Sequence, residues 1–233
     1  MKIKLKYIAL IAICGVAVSC KKDNYKEPSS MLSGRLVYQG EALGVENYQV
    51  PYELYQYGFG KVGGVNSSFT QEGNFSSLLF DGDYKLIIPN GQGPFMWPKT
   101  AGGAPDSIAI TLRGSQTLDL NVTPYFMIRT PQVTGGGGKV SATFKLEKII
   151  TDANAKDVEN VTLYVNKTQF VSGADNIATA GVNGGDITDM NNISLSATVP
   201  SITPTQNYVF ARIGLKVSGV EDRLFSPVVK VTY

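Results

Sequence analysis

The strongest constraint on the fold is a period-two alternation of apolar and polar residues, which recurs from residue 31 to the end of the chain. In the second half, four series keep this period: Val140 to Leu146, Val161 to Val165, Ile193 to Val199 and Val209 to Val217. Such alternation places one face of a strand against a core and the other in water. Turn residues separate the series, and no stretch shows a convincing helical period. The chain is therefore predicted to be all-β, with two tandem antiparallel β-sandwiches.

The second predicted sandwich occupies residues 126–233. About six strands within roughly 105 residues suit an immunoglobulin-like or fibronectin-type-III-like domain. The segments Tyr208 to Arg212 and Ser226 to Val229 resemble the last two strands of a fibronectin-type module. An apolar face of each strand is expected to pack on a partner sheet, while the other face meets water.

The first predicted sandwich occupies residues 31–125. Its landmark is the pattern T-x-x-G-x-F, from Thr70 to Phe75, followed by G-x-Y-x-L from Gly82 to Leu86. Glycines suit the tight turns of this pattern. The run resembles a carboxypeptidase-regulatory-like or Cna-B-like domain, which implies a transthyretin-like β-sandwich without catalytic residues. Residues 31–125 differ from the usual pattern of such domains by a long insertion, Pro89 to Asp106.

The N-terminus has the composition of an export signal. Residues 1–19 combine three lysines with an apolar run too short to span a bilayer, and small residues precede Cys20. This arrangement resembles a bacterial lipoprotein signal and implies acylation of Cys20, with residues 20–30 as a flexible tether to the membrane. The alternative is an ordinary signal peptide with a chance cysteine.

Composition excludes several kinds of function. The chain has no histidine, and its two cysteines leave no thiol once the signal is removed and Cys20 is acylated. Triads, thiol nucleophiles and His- or Cys-based metal sites are therefore excluded. An enzyme that uses a pair of carboxylates is the alternative that remains, but nothing in the sequence favours it, and no enzyme, cofactor or metal is expected. Loss of the signal lysines leaves 18 basic against 19 acidic residues. This balance offers no basic face for nucleic acid.

As a whole, the chain resembles a Bacteroidota two-domain lipoprotein family of unknown function, typically encoded beside SusC/SusD-like glycan-uptake genes. The resemblance implies an outer-membrane lipoprotein, at the cell surface or on the periplasmic face, that binds glycan or assists a SusC/SusD-like system. The alternative is a structural or protein-interaction lipoprotein that docks another envelope protein.

The candidate ligand site is the insertion, which contains the only tryptophan of the chain. The residues of interest are Phe95, Trp97, Asn90, Gln92 and Lys99. An exposed indole can stack on a sugar ring, while amides and an ammonium group bind its hydroxyls. The alternative is that Phe95 and Trp97 fold back to cover the end of the sandwich or the interface between the domains.

A second candidate is a tyrosine cluster. Alternation places Tyr55 and Tyr57 on one face and Tyr52 and Leu54 on the other. Core and cross-strand packing explains such tyrosines, and a surface ladder that extends the Trp97 patch is the alternative. Oxygen-rich segments near Asp152 and Asp189 lack complete calcium-loop spacing and are expected to form turns.

Overall fold

The structure is a computed structural model that describes residues 26–58 and 63–233. The signal segment, Cys20 and the first part of the tether lie outside the described residues. Within the described ranges, no helix has the length and apolar character needed to cross a membrane.

The described residues of the first half form eleven strands: β1 (Ser30–Tyr38), β2 (Glu41–Ala42), β3 (Pro51–Gln56), β4 (Val65–Ser68), β5 (Asn74–Leu79), β6 (Gly82–Ile87), β7 (Phe95–Met96), β8 (Ile108–Leu112), β9 (Gln116–Thr117), β10 (Leu120–Asn121) and β11 (Thr123–Pro124). One antiparallel sheet has the order β4-β3-β6-β8. Opposite it, β1 pairs antiparallel with β2 and β5, and parallel with β9 and β10. The parallel pairings were not anticipated from the sequence.

The second half contains eight strands and a short 3-10 helix: β12 (Phe126–Gly136), β13 (Lys139–Lys148), β14 (Val158–Asn166), β15 (Ala178–Asn183), η1 (Gly184–Asp186), β16 (Ile193–Thr198), β17 (Tyr208–Val217), β18 (Arg223–Phe225) and β19 (Val229–Thr232). One sheet has the order β12-β13-β16, and the other has the order β15-β14-β17, with β18 and β19 both paired to β17. The all-β prediction with antiparallel sheets is confirmed.

The apolar side chains predicted to face inward are buried in both halves. In the first half, Phe75, Tyr84, Leu86 and Ile88 are all buried. In the second, the inward residues of β17 are exposed by 1% or less, and they are Val209, Ala211, Ile213, Leu215 and Val217. Alternation thus identified the inward face of these strands correctly, because a strand turns successive side chains to opposite sides.

The outer face of β17 departs from the prediction. Arg212 was placed by alternation on the side that meets water, but it is 0% exposed. Its Nη1 donates to the carbonyls of Val45 (3.1 Å) and Gln71 (3.4 Å), and its Nε donates to the carbonyl of Val171. The guanidinium stacks on the Phe225 ring, 3.7 Å from the centroid. The first half of the chain covers this face of the sheet, so the outer residue becomes an interior one.

Candidate functional site

The insertion between β6 and β8 lines a cavity of about 400 Å³, which we call the loop cavity. Its wall also includes residues of two turns from the second half of the chain. The lining of the cavity includes Asn90, Gln92, Phe95, Met96, Trp97, Lys99, Tyr125, Ala153, Asn154 and Lys156. All five insertion residues singled out from the sequence therefore lie around one cavity. Its volume is within the range of small-molecule sites.

Backbone pairing shapes the insertion. Its central pair of residues, β7, pairs with β11 and makes the segment part of a two-stranded sheet instead of an irregular loop. The Gly93 N–H donates to Asp222 Oδ2 of the second half at 2.7 Å. Gly93 has a φ of +79°, and a Cβ built there would lie 2.3 Å from the Phe95 ring. Only glycine suits this position without displacement of the ring.

The prediction that Trp97 forms an exposed stacking platform for a sugar ring is wrong. Phe95 is 4% exposed and Trp97 is 8% exposed, so neither ring offers an open face. The Trp97 Nε1–H donates to the Asp106 carbonyl at 2.7 Å, which satisfies the indole once it is buried. Both rings belong to the hydrophobic core, as the covering alternative expected. Both residues line the cavity, but they are too buried to provide a stacking surface.

Met96 is the residue that the sequence reasoning missed. It lies between the two buried rings and is 37% exposed at the cavity. Period-two alternation through Phe95, Met96 and Trp97 could have revealed it, because β7 must turn the middle side chain to the opposite face. The adaptable thioether of Met96 provides apolar surface here.

The polar lining of the loop cavity is positively charged. Lys99 and Lys156 contribute to the wall, and the described lining residues include no carboxylate. The Lys156 ammonium lies 5.7 Å from the centroid of the Tyr125 ring, and burial raises the pKa of Tyr125. The Asn90 side chain donates to the Gly103 carbonyl at 3.0 Å, which keeps its amide oxygen available. The cavity thus presents amides, ammonium groups and limited apolar surface to a ligand.

Tyr55 and Tyr57 do not extend this site. They are 40% and 58% exposed, while Tyr52 and Leu54 are buried, as alternation predicted. However, the two exposed tyrosines line a separate recess that shares no residue with the loop cavity. The Tyr55 hydroxyl donates to Glu53 at 2.6 Å, and this hydrogen bond raises the pKa of Tyr55. The alternative that these tyrosines form a surface ladder continuous with Trp97 is therefore wrong.

The oxygen-rich segments form turns. Asp152 accepts a hydrogen bond from the backbone of Asn154 at 2.8 Å, and Asp189 accepts one from the backbone of Asn191 at 2.8 Å. Each carboxylate closes its own turn in the manner of an Asx-turn. Across the described ranges, no group of three or more His, Cys, Asp or Glu residues is placed to hold a metal ion.

Several solved structures resemble the chain over most of its length. A DUF3823 family protein from Parabacteroides merdae is 31% identical with a TM-score of 0.76, and the match covers 89% of this chain and 100% of that one. A DUF3823 family protein from Bacteroides ovatus is 28% identical with a TM-score of 0.76, covering 88% and 99%. A "putative carbohydrate binding protein" from Bacteroides uniformis is 19% identical with a TM-score of 0.69, covering 89% and 100%. At that identity the likeness concerns the fold alone.

Family models match both halves of the chain, whereas no curated protein matches it significantly. The N-terminal domain of the DUF3823 proteins of unknown function matches residues 30–123. The domain of unknown function DUF3823_C matches residues 126–230. The chain therefore belongs to the DUF3823 family, a two-domain family of unknown function.

Proposed function

We propose that this protein is a non-catalytic, lipid-anchored accessory of glycan capture at the outer membrane, and that the loop cavity binds the sugar. The observation that carries the proposal is the convergence of Asn90, Gln92 and Lys99 with Asn154 on one cavity beside Met96. A saccharide needs several hydrogen-bonding groups around a limited apolar surface, and this lining supplies both. The Bacteroides uniformis protein of similar fold is named a "putative carbohydrate binding protein", and that name agrees with this proposal.

The lipid anchor follows from the sequence around Cys20. Two or more acyl chains would hold the protein stably at a bilayer, because each buried methylene contributes about 0.8 kcal/mol. The tether of residues 20–30 then places the first half near the membrane. A SusC/SusD-like transporter is the proposed partner, which would receive glycan concentrated at this surface.

A titration series tests the sugar site. The protein is titrated calorimetrically with a panel of neutral and acidic polysaccharides, and the best binder is then measured with Ala153→Trp. Ala153 is exposed and lines the cavity, so the new indole fills the site without replacing a core residue. The matched control is Ala101→Trp, an exposed turn residue outside the cavity lining. Affinity is expected to be weak in the parent and to disappear only in Ala153→Trp.

Three results would reject the loop cavity as the sugar site. One is the absence of binding to every member of the panel. Another is equal affinity in the parent and in Ala153→Trp. A loss of affinity in Ala101→Trp as well would show an effect of the added indole itself, and the cavity assignment would then be dropped.

A second candidate function is docking of another envelope protein. Tyr57, Val65 and Leu78 are between 51% and 58% exposed, and all three line the recess beside Pro28, close to the tether. Exposed apolar side chains grouped in this way often mark interaction surfaces. Crosslinking of intact membranes followed by purification, with Leu78→Lys as the test variant, distinguishes docking from sugar binding. Docking requires a crosslinked partner that this variant loses.

A further inference from the structure

A second, larger recess lies on the outer face of the second half, where it meets the first. This recess, which we call the seam groove, has a volume of about 920 Å³. Its lining is mainly hydroxyl and amide groups, with one acid and one guanidinium: Glu46, Asn160, Thr162, Tyr164, Asn176 and Arg223. It shares no lining residue with the loop cavity.

Cross-strand register explains why the surface is grooved. Asn160, Thr162 and Tyr164 alternate along β14 and therefore point to the same face. Thr162 lies between Gly181 of β15 and Gly214 of β17. Gly181 and the small Thr162 leave this row of the surface low, whereas the rings of Phe225 and Tyr164 cover Gly214. The result is a trough over β14 and β15.

Three polar side chains converge at one end of this trough. A Cβ built at Gly173 would lie 3.8 Å from each of three atoms: Arg223 Nη1, Glu46 Oε1 and the Tyr164 hydroxyl oxygen. Glu46 comes from the first half, while the other two come from the second. Asn176 holds the loop by donating to the carbonyls of Ser172 and Gly173. Because residue 173 has no side chain, the space between the three polar atoms is open.

Among the residues that the structure describes, none accepts a hydrogen bond from the guanidinium of Arg223. Its Nε is enclosed without a hydrogen-bond partner, and among the described residues it belongs to none of the ion pairs. A partly buried cation without an acceptor carries an uncompensated desolvation cost. A carboxylate is the group whose geometry best matches a guanidinium. The Glu46 carboxylate, which also lies 3.8 Å from the Gly173 Cβ position, can accept hydrogen bonds from donors such as hydroxyl groups.

From this arrangement we propose that the seam groove binds an acidic polysaccharide, with a uronate carboxylate on Arg223 and sugar hydroxyls on Glu46 and Tyr164. The hydroxyl and amide rows of β14 and β15 then contact the neighbouring sugar rings. Because these rows extend along two strands, the groove suits an oligosaccharide of several sugar rings better than a single small zwitterionic molecule. The site is distinct from the loop cavity and does not depend on it.

The test uses short oligogalacturonate and oligoalginate as probes, with the fully methyl-esterified oligogalacturonate as the neutral match. The protein is titrated with each, and the variants are Arg223→Gln and Ala174→Trp. Ala174 is exposed and lines the groove, so its replacement blocks the site without disturbing the core. The charge control is Lys145→Gln, an exposed residue of β13 in the other sheet. Arg223→Gln is expected to weaken binding roughly tenfold or more, as loss of a charge-assisted hydrogen bond does.

The proposal requires that an acidic probe binds, that both groove variants weaken it, and that Lys145→Gln does not. It is overturned if neither acidic probe binds, if the ester binds as well as the acid, or if Lys145→Gln matches Arg223→Gln. If Ala153→Trp abolishes binding while Ala174→Trp leaves it intact, the sugar lies in the loop cavity. That result overturns the seam groove and supports the proposed function, so the two failures are distinguishable.

Discussion

Replacement of Arg212 by methionine tests whether the contact between the two halves depends on one buried cation. In the parent, Arg212 is the sole donor to the carbonyls of Val45 and Val171 among the described residues. Arg212→Met keeps most of the apolar stem but leaves these two enclosed carbonyls without a donor. Each such carbonyl costs about 1–3 kcal/mol, and loss of the stacked Phe225 contact costs about 2 kcal/mol more.

One effect opposes this loss. Burial lowers the pKa of Arg212 to about 10 from its ordinary value of 12.5. The folded state therefore disfavours the charged guanidinium by about 3 kcal/mol, which the methionine variant recovers. The opposing effects leave a net destabilisation of about 1–5 kcal/mol. The losses exceed the gain because backbone carbonyls cannot be removed together with their donor.

Urea unfolding at pH 7 measures this difference. The matched control is Lys216→Met, on the same strand and the same face, where the residue is half-buried and its ammonium makes an exposed hydrogen bond to the Glu221 carbonyl. A change of less than about 1 kcal/mol is expected there. The reasoning is refuted if Arg212→Met unfolds at the same urea concentration as the parent. It is also refuted if Lys216→Met is equally destabilised.

Three further predictions follow from contacts around the insertion and from the anchor. Burial raises the pKa of Asp222, so the folded state disfavours its carboxylate and this residue's contribution to stability falls as pH rises through the raised pKa. Asp222→Asn keeps an acceptor for the Gly93 N–H. In thermal melts, the stability of this variant relative to the parent should therefore increase from pH 4 to pH 8. A decrease would contradict the raised pKa of Asp222. Gly93→Ala should lower the melting temperature more than Gly91→Ala, since both have positive φ but only Gly93 contacts a ring; equal effects would show that the Phe95 contact is unimportant. Cys20→Ser should move the protein from the detergent phase to the aqueous phase of a cloud-point extraction, and an unchanged distribution would rule out the lipid anchor.

The candidate site was only partly predictable. The insertion residues Asn90, Gln92 and Lys99 could be selected because an unusual segment breaks the strand pattern, and they do line one cavity. The exposure of Trp97 could not be predicted, since burial of an indole depends on the Asp106 carbonyl and on a surface that the rest of the chain supplies. The seam groove could not be predicted from the sequence at all. Glu46 and Arg223 are far apart in sequence, and neither has a pattern of its own.

Local chemistry alone determined the inward faces of the strands that alternate clearly, because a period of two dictates which side chains share a side of a sheet. Val209 to Val217 needed no knowledge of any other segment to be assigned correctly. The tertiary structure decided what becomes of the opposite side, where Arg212 is buried and Tyr57 is not. Alternation describes a strand within its own sheet, whereas exposure of the outer face depends on whether a distant part of the chain packs over it.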